Sequence, residues 1–327
     1  MAEPRVVIVL STFNGERYLA EQLDSIRRQT FPRWRLLLRD DASTDASRRI
    51  AEAAARRDPE RIKIVNDDDG NLGVVAAYSR LVERAEADYI LFADQDDLWL
   101  PDKIDRTLAA MRAAEQRHGV QTPLLVHTDL RVVDQSLRTL APSFWRYRRL
   151  DPVAEPQLRL LLAHNGVTGC AMMINRSLAS LAAPFPPAAA MHDWWLALVA
   201  CLFGRVEAVN AATVLYRQHG DNSVGASRWG WRRALDQLGN PRAVRAGLLR
   251  GMRQARALLD RYHQGMPADH AALVAAYASL PFLPPGERLG ILLTHRLRKH
   301  GFLRTVGFLV NVLALPREVA AAPVVHR

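Results

Sequence analysis

Cysteine is scarce in this sequence of 327 residues, which contains only Cys170 and Cys201. Two cysteines offer at most one disulfide, and both lie in apolar stretches. A small secreted fold held together by several disulfides is therefore excluded. We expect both residues to be free thiols buried in a protein of a reducing compartment.

Long apolar runs are also missing. The first apolar stretch, at residues 6–10, leads directly into a polar turn, so we expect no signal peptide. No window contains the roughly 18 uninterrupted apolar residues that a membrane-spanning helix needs. Apolar residues still make up 49% of the chain, which is enough for a sizeable core. These features predict a folded cytoplasmic protein.

Acidic residues are depleted in the last third of the chain. From Ala226 to the end there are 16 Lys and Arg residues against 5 Asp and Glu residues, whereas the first 225 residues carry 28 against 29. A nearly neutral front part and a basic tail indicate two parts with different roles. We therefore predict a first domain over residues 1–225 and a basic helical region over residues 226–327.

The first half of the sequence alternates between short apolar runs and segments with helical spacing. The apolar runs are continuous, as in the strands of a parallel sheet that is covered on both faces. Four strand–helix units in series predict a doubly wound α/β fold with a mostly parallel sheet. Strands are expected at residues 5–11, 34–39, 61–65 and 88–93, and helices at residues 16–29, 46–57, 73–85 and 101–116.

After about residue 120 the alternation becomes less regular. Strand-like runs occupy residues 123–134, 165–177 and 212–225, and a helix is expected at residues 192–204. From residue 228 onward the pattern indicates Arg-rich helices that break near prolines.

A polar cluster follows each of the four early strands. The clusters read "STFNGE" at 11–16, "RDDASTD" at 39–45, "NDDDGNLG" at 66–73 and "DQDD" at 94–97. Ligands of open α/β sheets bind at the carboxyl ends of the strands. We therefore expect the four loops to converge on one crevice.

The acidic cluster of Asp94, Asp96 and Asp97 has three interpretations: a solvated loop, a site for a divalent cation, or the nucleophile of an aspartyl phosphotransferase. Alternate carboxylates in an extended turn can face one hard cation, which also relieves their mutual repulsion. The phosphotransferase hypothesis is weaker, because its nucleophile normally follows the first strand. Such enzymes also use a lysine at the site, and none of Lys63, Lys103 and Lys299 lies at an obvious strand end.

In their order and strand-end placement, these motifs resemble the inverting glycosyltransferases of family 2, which have the GT-A fold. "STFN", "RDDASTD" and "ADQDDLW" follow one another, and "HDWW" comes about a hundred residues later. The resemblance covers roughly residues 5–225. The later motifs "NGVTGC", "HDWW" and "YRQHGDNSVG" look most like bacterial rhamnosyltransferases of cell-surface polysaccharide.

The resemblance implies a pocket for the nucleotide donor. Asp41, together with Asp40, would accept hydrogen bonds from a pyrimidine base, since an ionised carboxylate only accepts. The alternative for this segment is a helix N-cap. The donor-binding residues implied by the resemblance are Thr12, Asn14, Glu16, Asp40, Asp41, Asn71, Gly73, Asp94 and Gln95.

The resemblance also implies a divalent metal, Mg²⁺ or Mn²⁺, held by Asp94, Asp96 and His219, with Asp96 as a direct ligand. The metal would neutralise the leaving diphosphate. Asp193, at the start of the helix expected at 192–204, matches the position of the base that takes the proton of the acceptor hydroxyl. Its alternative role is a helix cap.

The basic tail leaves two interpretations open. Residues 288–315 alternate apolar stretches with Arg, Lys and His. They form either an interfacial helix on anionic lipid at the cytoplasmic face of the inner membrane, or a helix docked on the catalytic domain with a solvated basic face. No recognition motif supports a nucleic-acid partner.

These features together predict a metal-dependent inverting transferase. It would move a sugar from a nucleoside diphosphate donor, dTDP-L-rhamnose, to a hydroxyl of a cell-surface glycan or its lipid-linked precursor. A UDP-hexose donor, an aspartyl phosphotransferase and a non-catalytic nucleotide-sugar-binding module stay open as alternatives.

Overall fold

The computed structural model describes residues 5–67, 69–151, 158–220 and 241–318, which form two compact units. The first unit comprises Met1–Pro156 and Asn165–Arg228, and the second comprises Gln157–His164 and Trp229–Arg327. The boundary predicted between residues 225 and 226 lies outside the described residues. A short segment from the middle of the chain thus belongs to the C-terminal unit.

The first unit contains one mixed sheet. Its strands within the described ranges are β1 Val6–Thr12, β2 Trp34–Asp40, β3 Ile62–Ile64, β4 Tyr89–Ala93, β5 Leu98–Trp99, β6 Leu124–Val133, β7 Thr139–Ala141, β8 Met172–Asn175 and β9 Arg205–Arg217. Their order in space is β3-β2-β1-β4-β8-β6-β9-β5, and β7 pairs with β6.

The first four strands are parallel to one another, as the sequence predicts. Every residue of β4 is buried, and so is every residue of β1 except Ser11, which is half-buried. The continuous apolar runs are therefore explained by cover on both faces of the sheet. The helices of these units are α1 Leu19–Arg27, α2 Ser47–Arg57, α3 Gly73–Arg84 and α4 Lys103–His118.

The other half of the sheet does not continue the parallel pattern, because it contains antiparallel strand pairs. Strand β8 runs antiparallel to both of its neighbours, β4 and β6, and β5 runs antiparallel to β9. The strand expected at 165–177 is confined to β8, because Asn175 accepts a hydrogen bond from Leu178 N at 3.1 Å and caps the next helix. The helices in this part are α5 Phe144–Arg148, α7 Arg176–Ala182 and α8 His192–Phe203.

The core of the first unit lies around the sheet. Leu36, Leu91 and Trp195 are completely buried, or nearly so. Both cysteines are free, as expected, but only Cys170 is buried, while Cys201 is half-buried on α8. The prediction of free thiols is confirmed, and that of complete burial is wrong for Cys201.

The second unit is helical, as the sequence predicts. Its helices within the described residues are α6 Leu158–Ala163, α9 Pro241–Tyr262, α10 Ala268–Ser279, α11 Pro285–Thr294 and α12 Phe302–Leu313. Prolines mark the starts of three of them, because Pro241 opens α9, Pro267 precedes α10 and Pro285 opens α11. Among the described residues, no helix is long and apolar enough to cross a membrane.

Candidate active site

The polar clusters meet at one edge of the sheet. In the strand register Thr12 lies opposite Asp40, and Leu10 lies opposite Ala93, so β1, β2 and β4 end side by side. The carboxyl ends of parallel strands share an edge for this reason. The loops after these strands are called the first, second and fourth loops here, and the loop after β3 is the third.

Two residues predicted to line the nucleotide pocket tie the first loop to the second. Asn14 Oδ1 accepts a hydrogen bond from Thr44 N at 2.9 Å, and Glu16 Oε2 accepts one from Ala46 N at 2.8 Å. Asn14 has a φ of 48°, in the left-handed region that asparagine tolerates better than most residues. These two side chains therefore hold the first and second loops together.

Gln95 ties the fourth loop to the first. Its Oε1 accepts hydrogen bonds from Thr12 Oγ1 at 2.7 Å and from Phe13 N at 2.8 Å. Gly15 lies against this contact, since a Cβ there would come within 2.9 Å of Thr12 Oγ1 and closer still to Gln95. A side chain at position 15 would thus displace the Gln95 amide, a contact that sequence analysis missed because a glycine in a polar loop resembles an ordinary turn.

Asp40 and Asp41 have different environments. Asp41 is buried, and its carboxylate accepts hydrogen bonds from Arg39, from Leu72 N at 2.8 Å and from Gly73 N at 2.8 Å. Asp40 Oδ2 accepts a hydrogen bond from Ser43 N at 3.2 Å, but its buried Oδ1 has no hydrogen-bond partner among the described residues. A buried oxygen without a partner is costly unless a ligand binds it.

The third loop is held by the same arginine. The buried guanidinium of Arg39 donates to both oxygens of Asp67, at 2.9 and 3.1 Å, and to Gly70 O at 2.8 Å. The hydrogen bond from Arg39 lowers the pKa of Asp67. Asn71 Nδ2 donates to Asp41 O at 2.9 Å, and Gly73, at a φ of 74°, begins α3. Asn71 and Gly73 therefore hold the third loop to the second, and Asp68 lies outside the described residues.

Asp94 is the first carboxylate of the fourth loop. Its Oδ1 accepts a hydrogen bond from Tyr78 OH at 3.1 Å. Burial raises the pKa of Asp94 to about 7, and the charges of Asp96 and Asp193 add to the rise. Tyr78 also stacks on His192, the neighbour of Asp193, at 4.1 Å, so the predicted base lies near the acidic cluster.

Asp96 and His219, both predicted to hold the metal, lie close together. Asp96 Oδ2 lies 2.8 Å from His219 Nε2. The contact follows from the sheet, because Leu98 lies opposite Leu215 in the antiparallel pair of β5 and β9. Continuing this antiparallel pairing by two residues places Asp96 of the fourth loop opposite Arg217 at the end of β9. The part of the motif at residues 221–225 lies outside the described residues.

Asp97 is the buried carboxylate of the cluster, whereas Asp94 and Asp96 are half-buried. Its ligand atoms and those of Asp94 and Cys170 all lie within 4.8 Å of one another. Burial raises the pKa of the Cys170 thiol well above its usual value, as do the charges of Asp97 and Asp94. A protonated thiol is a poor ligand for a hard cation. We therefore regard Cys170 as a support for Asp97 rather than as a ligand.

Arg217, the last residue of β9, connects several parts of the site. Its buried guanidinium donates to Asp96 O at 3.0 Å, to Gln135 O at 2.9 Å and to the carboxylate of Glu21. Its backbone N–H donates to Asp97 Oδ1 at 3.1 Å. Sequence analysis missed this residue, because an arginine at a strand end does not indicate which distant carbonyls it will bind.

Asp193 occupies the first turn of α8, as predicted. Its oxygens accept hydrogen bonds from Trp194 N at 2.6 Å and from Gly169 N at 3.1 Å. Burial raises the pKa of Asp193 to about 6, although these backbone hydrogen bonds oppose the rise. The preceding His192 stacks on Tyr78 at 4.1 Å, and burial lowers its pKa to about 3, so it stays neutral and is a poor base.

The donor set fits a divalent cation. Asp94 and Asp96 supply carboxylate oxygens and His219 supplies an imidazole nitrogen, which are ligands that Mg²⁺ and especially Mn²⁺ accept. Burial raises the pKa of Asp94 and the charge of Asp96 adds to the rise, and a cation would relieve that repulsion. Asp97 Oδ2 is a buried oxygen with no hydrogen-bond partner among the described residues, and burial raises the pKa of Asp97 well above its usual value.

Residues 7–181 match the family model described as glycosyl transferase family 2. The chain belongs to this family. The matched segment includes the first four strands and their loops, together with β8. The sequence-based assignment to the glycosyltransferases is confirmed, and the aspartyl phosphotransferase alternative is set aside.

Curated relatives of this family member match over part of their length. Three Bacillus subtilis proteins with glycosyltransferase names are 33–34% identical over 108–129 residues, which is 33–39% of this chain. The matches span only 30–46% of their lengths. The dTDP-rhamnosyl transferase RfbG of Shigella flexneri is 27% identical over 234 residues, which covers 67% of this chain and 74% of RfbG.

Solved structures show the same fold. TarS 1-349 of S. aureus in complex with UDP superposes with a TM-score of 0.53 at 17% identity, covering 84% of this chain and 70% of TarS. The mannosyltransferase PcManGT of Pyrobaculum calidifontis, in complex with GDP-Man and Mn²⁺, gives a TM-score of 0.50 at 17% identity, covering 95% and 88%. The predicted GT-A fold is confirmed.

Proposed function

We propose that this family 2 member is an inverting, metal-dependent transferase that takes a sugar from a nucleoside diphosphate donor. One observation carries the proposal. The carboxylate–imidazole pair of Asp96 and His219, 2.8 Å apart, lies at the carboxyl end of β4 beside Asp94. Tyr78, which donates a hydrogen bond to Asp94, stacks on His192, the neighbour of Asp193. A candidate cation-binding set and a candidate base therefore lie near each other.

Asp94, Asp96 and His219 would hold the cation. When bound, the cation supplies positive charge that stabilises the leaving diphosphate. Asp97 and Arg217 orient the fourth loop from behind, through the hydrogen bond from Arg217 N to Asp97 and from the guanidinium to Asp96 O. Such supporting contacts fix the direction in which the ligand oxygens point.

Asp193 is the proposed base. The hydrogen bonds from Gly169 N and Trp194 N fix its carboxylate at the start of α8. With a pKa of about 6, it is ionised at neutral pH yet still basic enough to accept a proton. It would take the proton of the acceptor hydroxyl as that oxygen attacks the anomeric carbon and the bond to the diphosphate breaks.

Asp40, rather than Asp41, is the proposed contact to the nucleotide base. Asp41 already accepts hydrogen bonds on both oxygens from Arg39, Leu72 and Gly73. Asp40 Oδ1 is buried and unbound among the described residues. Uracil and thymine present an imide N–H that a carboxylate oxygen can accept, whereas the same edge of guanine offers a different pattern.

The donor that we favour is dTDP-L-rhamnose, and the acceptor is a hydroxyl of a cell-surface glycan or its lipid-linked precursor. Similarity to RfbG over 67% of this chain supports the rhamnosyl donor. A UDP-hexose is the second candidate, because TarS, which has the same fold, was solved with UDP and with UDP-GlcNAc. We propose that the enzyme works on the cytoplasmic face of the membrane.

A thermal-shift screen tests this proposal. Unfolding of the full chain is followed with dTDP, UDP or GDP, each with and without Mn²⁺. We expect a metal-dependent rise in melting temperature with dTDP and UDP, since a ligand that binds only the folded state stabilises it. Asp96→Asn should abolish the part of the rise that needs Mn²⁺. Asp102→Asn, at an exposed carboxylate paired with Arg106, is the matched control and should behave as wild type.

The same screen tests the nucleotide contact. Asp40→Asn should lower the response to dTDP and UDP while leaving Mn²⁺ binding intact, because Asp40 lies outside the proposed metal set. A wild-type response of Asp96→Asn to Mn²⁺ and dTDP would contradict the metal assignment. If no nucleotide changes the melting temperature, the proposal that the enzyme uses a nucleoside diphosphate donor is contradicted.

A further inference from the structure

The C-terminal unit presents a surface of exposed apolar side chains on its last two helices. Large apolar side chains are exposed at eleven positions among the described residues, and six of them lie between residues 289 and 310. Phe302 is 81% exposed and Leu293 is 65% exposed. These six residues form what we call the apolar face: Leu289 and Leu293 on α11, and Phe302, Leu303, Val306 and Val310 on α12.

Helix α12 carries large apolar side chains on both of its sides, and it also buries the polar side chains of Arg304 and Asn311. One side buries Phe308 and Val312, which are at most 2% exposed, in the second unit. The other side carries Leu303, Val306 and Val310, which follow the helical spacing of three and four residues. Large apolar side chains that recur on the outer side of a helix and are exposed together often mark a surface that binds a partner or a membrane.

The apolar face is held in place from beneath. Arg288 on α11 is only 1% exposed, and its guanidinium donates to Leu280 O at 2.9 Å, to Val312 O at 3.1 Å and to Leu315 O at 2.6 Å. These contacts satisfy carbonyls at the end of α12 and join that end to α11. The two helices thus present their outer sides as one fixed structure.

Basic side chains accompany the apolar face. The connector between α11 and α12 contains Arg296 and Arg298, both exposed. No Asp or Glu occurs between residues 288 and 317. Among the described residues no salt bridge to either arginine is recorded. Apolar helices flanked by arginine and lysine without acidic residues are typical of elements that lie in the interface of an anionic membrane.

We propose that the apolar face and its basic connector dock on the surface of an anionic phospholipid bilayer. Leu293, Phe302 and Leu303 would enter the boundary between headgroups and acyl chains, while Arg296 and Arg298 meet lipid phosphates. This occupant fits better than a protein, because the surface pairs apolar side chains with charges of one sign. That docking gives access to a lipid-linked acceptor rests on the proposed function. The docking itself does not depend on that function.

Flotation with vesicles tests the docking. The full chain is mixed at low salt with vesicles of equal parts phosphatidylglycerol and phosphatidylcholine, or with phosphatidylcholine alone. We expect recovery with the anionic vesicles and strongly reduced recovery with the neutral ones or at high salt. Arg296→Gln and Arg298→Gln should each weaken the partition coefficient roughly fivefold, since one basic residue near the surface contributes about that factor.

The apolar contribution is tested with a matched pair of double variants. Phe302→Ser with Leu303→Ser should lower the partition coefficient at least about tenfold, because two large side chains no longer enter the lipid. Val120→Ser with Leu140→Ser removes two comparably exposed side chains, at 63% and 53%, from the first unit and should bind as wild type. Surface changes of this kind leave folding nearly unchanged, and melting temperatures verify this.

Two results would overturn the proposal. One is full-length protein that ignores anionic vesicles at low salt, and the other is unchanged flotation of the Phe302/Leu303 variant. Oligomers that disperse on this double substitution without lipid would instead assign the face to a second copy of the chain. The nucleotide thermal shift of the same samples is read separately, so a protein that floats but binds no nucleotide refutes only the proposed function.

Discussion

Each polar side chain at the active-site edge has a role that depends on which of its atoms the protein already binds. The side-chain oxygens of Asn14, Glu16 and Gln95 accept hydrogen bonds from neighbouring loops. Asp41 does the same with both carboxylate oxygens. Only Asp40, in this group, keeps a buried oxygen without a hydrogen-bond partner among the described residues. The other four side chains connect the loops to one another.

At the residue scale, the pH dependence of transfer should report on Asp193. Burial raises its pKa to about 6, and a base must be ionised to accept a proton. At saturating Mn²⁺, kcat/KM should therefore be constant at neutral pH and fall about tenfold per unit as the pH drops below about 6. Initial rates measured across this range with a soluble acceptor analogue check the expectation.

Asp193→Asn is the variant for this experiment. It should lower turnover by roughly 10² or more and remove the acidic limb, while donor binding stays nearly intact. Asp102→Asn, far along the chain from the base and exposed, should keep the wild-type profile. An Asp193→Asn enzyme that retains the acidic limb, or loses donor affinity as much as rate, would make Asp193 a structural cap instead.

At the scale of elements, the short strand β5 is decisive for the site. It has only two residues, Leu98 and Trp99, yet its antiparallel pairing with β9 carries Arg217 and His219 to the fourth loop. The guanidinium of Arg217 then bridges the fourth loop and the turn after β6 through carbonyls of Asp96 and Gln135. The proposed metal ligands are thus brought together by strand pairing over a separation of more than a hundred residues.

Arg217→Lys tests this role of the strand end. Lysine keeps the charge but has one ammonium group, which cannot reach several acceptors in the fork geometry of a guanidinium. We expect Mn²⁺ affinity to fall about ten- to a hundredfold, as for other residues that orient metal ligands. Titration of Mn²⁺ followed by electron paramagnetic resonance measures the affinity directly.

The control for Arg217→Lys is Arg131→Lys, because Arg131 lies exposed on β6. It should leave Mn²⁺ affinity unchanged. If Arg217→Lys lowers the melting temperature but binds Mn²⁺ as tightly as wild type, Arg217 contributes to stability only. Its proposed orienting role would then be wrong.

At the scale of the whole molecule, the chain crosses between its two units more than once. Residues 157–164 leave the first unit, contribute α6 to the second, and the chain then returns for β8 and β9. Leu158, Leu161 and Leu162 of α6 are buried, and α6 packs against α9 and α10. A cut at the single boundary expected from composition would therefore separate α6 from its unit.

A chain that ends at residue 228 should show this dependence. It would expose the leucines of α6, each of which contributes roughly 1.5–3 kcal/mol when fully buried. We expect it to bind an apolar fluorescent dye and to aggregate, as observed by light scattering. Replacing Leu161 and Leu162 by serine in the truncated chain should reduce both signals, whereas the same pair in the full chain should lower its melting temperature. A truncated chain that is monomeric and does not bind the dye contradicts the expectation.

The first four strand–helix units were predictable because their signals are local. Continuous apolar runs indicate buried parallel strands, and the loops that follow must then share one edge. The second half of the sheet was not predictable in this way. β8 turns antiparallel between β4 and β6, and β5 is too short to have a periodicity, so both depend on partners distant in sequence.

The sequence by itself determined the family, the GT-A fold and the positions of the acidic and basic segments, because residue types and their order along strands depend on local chemistry. Only the tertiary structure decided that Asp40 keeps an oxygen without a hydrogen-bond partner among the described residues while both oxygens of Asp41 accept hydrogen bonds. It also decided that Val306 is exposed while Phe308 is buried. Both pairs look alike in the sequence. Hydrogen-bond saturation and burial depend on what other elements bring alongside each atom, and that is settled only when the whole chain packs.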